Sequence, residues 1–281
     1  MKKDKVLVLS DLREFTEIVA KKAIFLADKY NKELNVLHVE DESFLKFFKE
    51  KTEGSLEKSK SILKDIYKDK ADVYCECGDF IEIVKKHIKI HNISTVIAGF
   101  KRERTFFEDI FNGSNLSSII RKLDIPVLVV KTEEKPEYKN ILIPTDLSKS
   151  SKKNIEYLVN LFPEANFHIE HYYKTFFEDR VKLYGFDEDE IHDFVDFYAT
   201  EAEHDLNKFI NNLDIPKDIK LFTKAKKFID IKTMVDESIE YKTIDLLSLS
   251  VGSSLSIFSF DLLEHSTKDV IIYKILEDDI V

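Results

Sequence analysis

Only two of the 281 residues are cysteine, Cys75 and Cys77. They are read as small residues of one strand, kept reduced in a cytosolic setting and projecting to opposite faces, which leaves them ill placed for a mutual disulfide or a two-thiolate metal site. Long apolar runs are also missing: none approaches the about 20 residues that span a bilayer. The start, MKKDKVLVLSD, lacks the apolar core and small-residue cleavage site of a signal peptide. A cytoplasmic protein with no membrane contact is expected. Positive charge is in deficit, with 43 Lys and Arg against 53 Asp and Glu and a formal net charge of −10. That balance argues against nucleic acid as the main partner, because a phosphate backbone needs a basic face. The local run Lys224 to Lys227 reads as solvated surface. No serine stands in a tight glycine-framed turn, no Cys–His pair has a recognisable context, and no phosphate loop carries a lysine. The chain is not expected to be an enzyme.

What is present is apolar periodicity, 43% hydrophobic residues in a length sufficient for two domains. Lys5 to Ser10 forms a short apolar strand ending at Asp11, and Phe15, Val19, Ala23, Ile24 and Ala27 then line one helical face. A strand over Leu34 to Val39 follows, then a charged helix over Ser43 to Tyr67 with a break expected around Gly54-Ser55. A third strand runs from Ala71 to Cys77, and Asp79 caps a helix over Phe80 to Ile90 whose Ile81, Val84, Ile88 stripe faces a core. Thr95 to Ala98 is a fourth strand, stopped by Gly99, and Pro126 introduces a fifth at Val127 to Val130. Alternating strands and helices predict a mostly parallel sheet with helices on both faces.

Residues Thr132 to Lys139 are charged, contain Pro136 and show no periodicity, which marks a linker. Beyond it the pattern restarts. Asn140 to Thr145 with Asp146 repeats Lys5 to Ser10 with Asp11, Asn166 to Tyr172 repeats Leu34 to Val39, and Val270 to Ile275 repeats the fifth strand. The chain is therefore read as a duplication, with domains over 1–133 and 137–281. The second copy gains residues in the acidic, aromatic region 172–211, read as one long helix or a helical pair. It loses residues after Gly252, where no Gly-Ser pair occurs.

Between the fourth and fifth strands of the first copy lie Gly99, Arg102 and then, after ten residues, Gly113-Ser114 ahead of Leu116, Ile119, Ile120 and Leu123 at helical spacing. Gly113-Ser114 thus precedes a helix N-terminus, where free N–H groups and the helix dipole favour an anion. Strand, glycine, loop, Gly-Ser, helix and Pro-led strand resemble the universal stress protein family, whose signature spaces glycines by two and nine residues before Gly-Ser or Gly-Thr. Here Arg102 takes the second glycine's place, and the second spacer has ten residues. The resemblance covers nearly the whole chain and implies tandem five-stranded, Rossmann-like domains of the adenine-nucleotide alpha-hydrolase type. It implies ATP or AMP binding through Asp11, Val39, Gly99, Gly113 and Ser114, with Arg102 as a substitute beside the phosphates and Mg²⁺ entering only through them. Without the loop, the second copy is expected to hold no nucleotide. The resemblance further implies that the last strands of the two copies pair, with a homodimer as a further assembly.

In the second copy, His168 and His171 lie three apart on a strand and so face opposite ways, and His171 aligns with His38, which suggests a structural role. No metal is expected. A regulatory stress-response protein whose ligand-dependent state is read by a protein partner is the leading expectation. The rival is a scaffold with closed pockets that uses the insert Phe176 to Phe197 as its partner surface; a slow ATPase, which the resemblance also implies, ranks third.

Overall fold

A computed structural model describes residues 4–13, 15–40, 52–100, 115–134, 137–175, 184, 186–230, 243–251, 262–263 and 265–274. The chain divides into two compact units: Met1–Glu137 with Thr267–Lys274, and the described part of the remainder, which begins at Tyr138.

In the first unit, β1 (Lys5–Leu9), β2 (Glu33–Glu40), β3 (Asp72–Cys77), β4 (Ile93–Gly99) and β5 (Val127–Val130) join a later strand, β10 (Asp269–Lys274). The strand order is β3-β2-β1-β4-β5-β10. The first five strands run parallel, and β10 runs antiparallel to β5, with Val270 opposite Val129 and Ile272 opposite Val127. Consecutive residues Val6, Leu7, Val8 and Leu9 are all buried, which a strand shows only when both faces of its sheet are covered. The cover is α1 (Thr16–Lys29) with α2 (Thr52–Tyr67), which touch each other, and α3 (Phe80–His91) with α4 (Asn115–Lys122), which also touch. Asp79 caps α3 as expected, its carboxylate accepting from Glu82 N at 2.8 Å.

Two expectations change. Helix α2 runs through Gly54 and Ser55 without a break. Cys75 and Cys77, two residues apart on β3, share a face, because side chains alternate with a period of two; they pair in register with His38 and Glu40. Burial raises the pKa of the Cys75 thiol above its usual range, Lys60 opposes the shift, and Glu40 and Glu57 add to it, which disfavours the reactive thiolate.

The second unit repeats the pattern with β6 (Asn140–Thr145), α5 (Lys149–Leu161), β7 (Asn166–Tyr173), α6 (Glu188–Asn211), β8 (Lys220–Lys227) and β9 (Leu246–Val251). Its strands lie in the order β9-β6-β7-β8 and run parallel. The 24-residue α6 packs on β7 and β8, and a capping box between Asp187 and Glu190 starts it. Not all of the Lys224 to Lys227 run is solvated: Lys226 Nζ bonds Glu170 Oε1 at 2.5 Å, and that carboxylate is buried. β10, the counterpart of β5 by sequence, lies with the first unit.

Candidate functional site

The first unit's strand order turns at β1: the chain steps outward through β2 and β3, returns, and continues through β4 and β5 on the other side. Ligands in such sheets bind outside the carboxyl ends of the strands at this switch point. Leu9 is level with Leu37 of β2 and Ala98 of β4. Asp11, Val39 and Gly99, each one or two residues further on, therefore gather at the same end. Helix α4 begins at Asn115, directly after Gly113-Ser114. Arg102, Gly113 and Ser114 themselves lie outside the described residues.

Asp11 is exposed and does not cap α1. Its Oδ1 accepts from Arg13 N at 3.1 Å, closing a local turn, and its Oδ2 stands 3.6 Å from Arg13 Nε. Between the strand and this turn, Leu12 is held at φ 57°, a left-handed conformation that costs a branched residue about 1–3 kcal/mol. Ser10 and His38 fasten it: Leu12 N donates to Ser10 Oγ at 3.3 Å, and His38 Nδ1–H donates to Ser10 O at 2.8 Å. That bond leaves His38 Nε2 facing Glu40 Oε1 at 3.7 Å. Glu40 Oε1 also accepts from Ser55 and Ser59 of α2, at 3.0 and 3.1 Å, while its Oε2 is buried without a hydrogen bond.

The second unit builds the same turn with Thr145 in place of Ser10. Leu147 sits at φ 62°, its N donates to Thr145 Oγ1 at 3.0 Å, and His171 Nδ1–H donates to Thr145 O at 3.0 Å. The structural role expected for His171 from its alignment with His38 is thus a clamp on a strained turn. Asp146 accepts from Ser148 N at 3.0 Å and from Ser151 Oγ at 2.6 Å. Partial burial works against the charge on Asp146, but the bonds from Ser148 and Ser151 outweigh it and hold its pKa below the usual carboxylate range. The sequence signal for the turn is the repeated Ser/Thr-Asp-Leu at the end of the first strand, which composition and periodicity pass over.

Gly99 has a packing role. A Cβ on it would stand 2.8 Å from Val19 Cγ2 and 3.2 Å from Phe15 Cδ1, so only glycine lets the start of α1 close on the end of β4. Phe100 N then donates to Val130 O at 2.8 Å, and Lys131 Nζ lies 5.4 Å from the Phe100 ring centroid. Among the described residues, no three His, Cys, Asp or Glu side chains are grouped to hold a metal ion, and no helix is long and apolar enough to cross a membrane.

An open parallel sheet whose strand order turns at β1, covered by helices, defines the class as a doubly wound α/β protein. Residues 3–131 match the model of the universal stress protein family. No curated protein matches the chain by sequence. The crystal structure of a universal stress protein from Archaeoglobus fulgidus DSM 4304 is similar over 98% of this chain and 97% of its own, at TM-score 0.67 and 17% identity. That of a functionally unknown protein from Pseudomonas aeruginosa PAO1 is similar over 99% of this chain and 94% of its own, at TM-score 0.60 and 13% identity. These likenesses concern the fold, and they extend across both units.

Proposed function

We propose that this chain is a tandem universal stress protein that binds one adenine nucleotide, ATP or AMP, in its first unit and acts as a regulator rather than an enzyme. The observation that carries the reading is the convergence of Asp11, Val39 and Gly99 at the carboxyl ends of β1, β2 and β4. In this reading Asp11 and Val39 take the nucleoside. Gly99, Gly113 and Ser114 hold ribose and phosphates at the start of α4, with Arg102 adding charge and Mg²⁺ bound through the phosphates. Residues 137–281 form a degenerate second copy by sequence, with the turn but with no Gly-Ser in the stretch that follows Gly252. Bound nucleotide shifts the population of a state that a protein partner reads.

A scaffold without nucleotide is the second reading. Two observations favour it: Val19 and Phe15 already crowd Gly99, and α6 presents Phe197 61% exposed. Native and denaturing mass spectrometry of the purified chain, followed by calorimetric titration with ATP and Mg²⁺, separates the two. One nucleotide per chain, lost in Gly113→Asp with the fold retained, is the expected result, because the new carboxylate repels the phosphates. No co-purified nucleotide and no heat at about millimolar ATP, an affinity of roughly −4 kcal/mol or weaker, would sink the nucleotide reading.

A further inference from the structure

Asp269, the first residue of β10, is fully buried and gathers four donors. Lys22 Nζ of α1 reaches its Oδ2 at 2.5 Å, while Lys131 N, Thr132 N and Thr132 Oγ1 reach Oδ1 at 2.7, 3.0 and 3.3 Å. Lys22 Nζ also donates to Thr132 Oγ1 at 3.0 Å. Lys22 is 3% exposed, a rare state for a lysine, and it is tolerable because the charge is paired and hydrogen-bonded. The two segments that supply these donors also reach the candidate site. Lys22 lies three residues after Val19, on the same side of α1, and Val19 is the side chain that closes on Gly99. Lys131 and Thr132 directly follow Val130, whose carbonyl holds Phe100 N, the residue after Gly99. A closed circuit results: Gly99 to Val19, along α1 to Lys22, across to Asp269, back through Thr132 and Val130 to Phe100.

We propose that this circuit couples nucleotide occupancy at the ends of β1 and β4 to the docking of the C-terminal strand β10 against β5, with the Lys22–Asp269 pair as the link. The proposal rests on the nucleotide reading above and adds its output. A ligand seated against Gly99 orders the end of β4 and the start of α1. A docked β10 orders α1 at Lys22 and the chain leaving β5. Each event meets part of the other's ordering cost, so the two favour one another with no change of fold, and the coupling is reciprocal. The output of the coupling is then the docking of β10, whose residues Asp269 to Ile272 are buried when it is docked. Lys22, Thr132 and Asp269 are positioning residues, since none is placed against the ligand.

Hydrogen exchange on the unaltered full-length chain, with and without ATP and Mg²⁺, gives one arm of the test; calorimetry on two variants gives the other. Expected are slower exchange of β5 and β10 amides with nucleotide and an ATP affinity about 5-fold or more weaker in Asp269→Asn. Lys274→Met removes the bonds to Asp124 Oδ1 at 2.8 Å and Arg121 O at 2.9 Å, which hold the opposite end of β10 away from α1. It should loosen the far end of β10 and weaken ATP affinity less than Asp269→Asn does, because the Lys22–Asp269 end stays docked. Unchanged exchange of β10 in the unaltered chain, together with unchanged affinity in Asp269→Asn, overturns the coupling while the nucleotide reading stands. Equal weakening by Lys274→Met overturns the assignment to the Lys22–Asp269 link. No heat with the unaltered chain removes the nucleotide reading and this inference together.

Discussion

His87 shows how a single residue's position reverses what its type suggests. Helix α3 carries it one residue off the apolar stripe seen in the sequence, yet it is 3% exposed. Its Nε2 lies 3.3 Å from Asn35 Nδ2, its ring stacks on His91 with centroids 4.2 Å apart, and the Tyr74 ring meets it edge-on at 4.7 Å. Burial, and then the neighbouring His91, push its pKa down from 6.5 to about 4. The folded chain therefore keeps this imidazole neutral over a range in which the unfolded chain protonates it. Because the unfolded state binds more protons there, stability falls as pH drops from about 6.5 to about 4 and this contribution levels off below that. Urea midpoints measured across this range should slope downward with acid, and His87→Leu should flatten part of the slope; an unchanged slope in the variant would reject the assignment. The sequence marks His87 only as one polar residue among several on α3, because burial of a side chain beside the stripe depends on Asn35 and Tyr74, which come from other strands. The Asp11 turn was more legible. Its repetition at Asp146 and the alignment of His38 with His171 point to a shared local structure, although the left-handed leucines within it carry no signal of their own. Gly99 is legible as a strand stop, whereas the closeness of Val19 and Phe15 that demands glycine there is a tertiary fact.

At the scale of elements, the strands and helices follow from the period of apolar residues, and most of their ends fall within a residue or two of the expected positions. The exception with a physical lesson is α2. Gly54 lowers helix propensity by about 1 kcal/mol relative to alanine, but with charged and polar neighbours and no heavy atom within 4 Å of a Cβ built on it, nothing forces the helix apart. β10 is the element whose placement rests on charge as well as on apolar pairing. Asp269→Ala leaves the Lys22 ammonium buried beside Thr132 Oγ1 without its carboxylate, and removing one partner of a buried pair costs about 3–5 kcal/mol. Lys22→Met should cost less, because Asp269 retains three donors from Lys131 and Thr132. Denaturation of the two variants side by side tests the asymmetry; equal losses would mean that the ion pair, and not the stranded ammonium, sets the cost.

For the whole molecule, the final described strand of the chain completes the first unit, so the C-terminus contributes to the stability of the domain that carries the candidate site. Ending the chain at Ser266 should speed amide exchange in β5 first, since Val127, Leu128 and Val129 lose their antiparallel neighbours, while β6 and β7 stay protected. Uniform loss of protection in both units, or none in β5, would contradict the placement of β10. The sequence by itself determined the α/β alternation, the duplication and the residues that end the strands of the site, because these are written in local periodicity and in glycine, proline and aspartate punctuation. The pairing of β10 with β5 is the one the resemblance implied, whereas the tertiary structure decided that Lys22 and His87 are buried and that Gly99 serves close packing as well as strand termination. Those outcomes depend on partners up to 247 residues apart in the chain, and no local pattern specifies which distant segment will satisfy a buried charge.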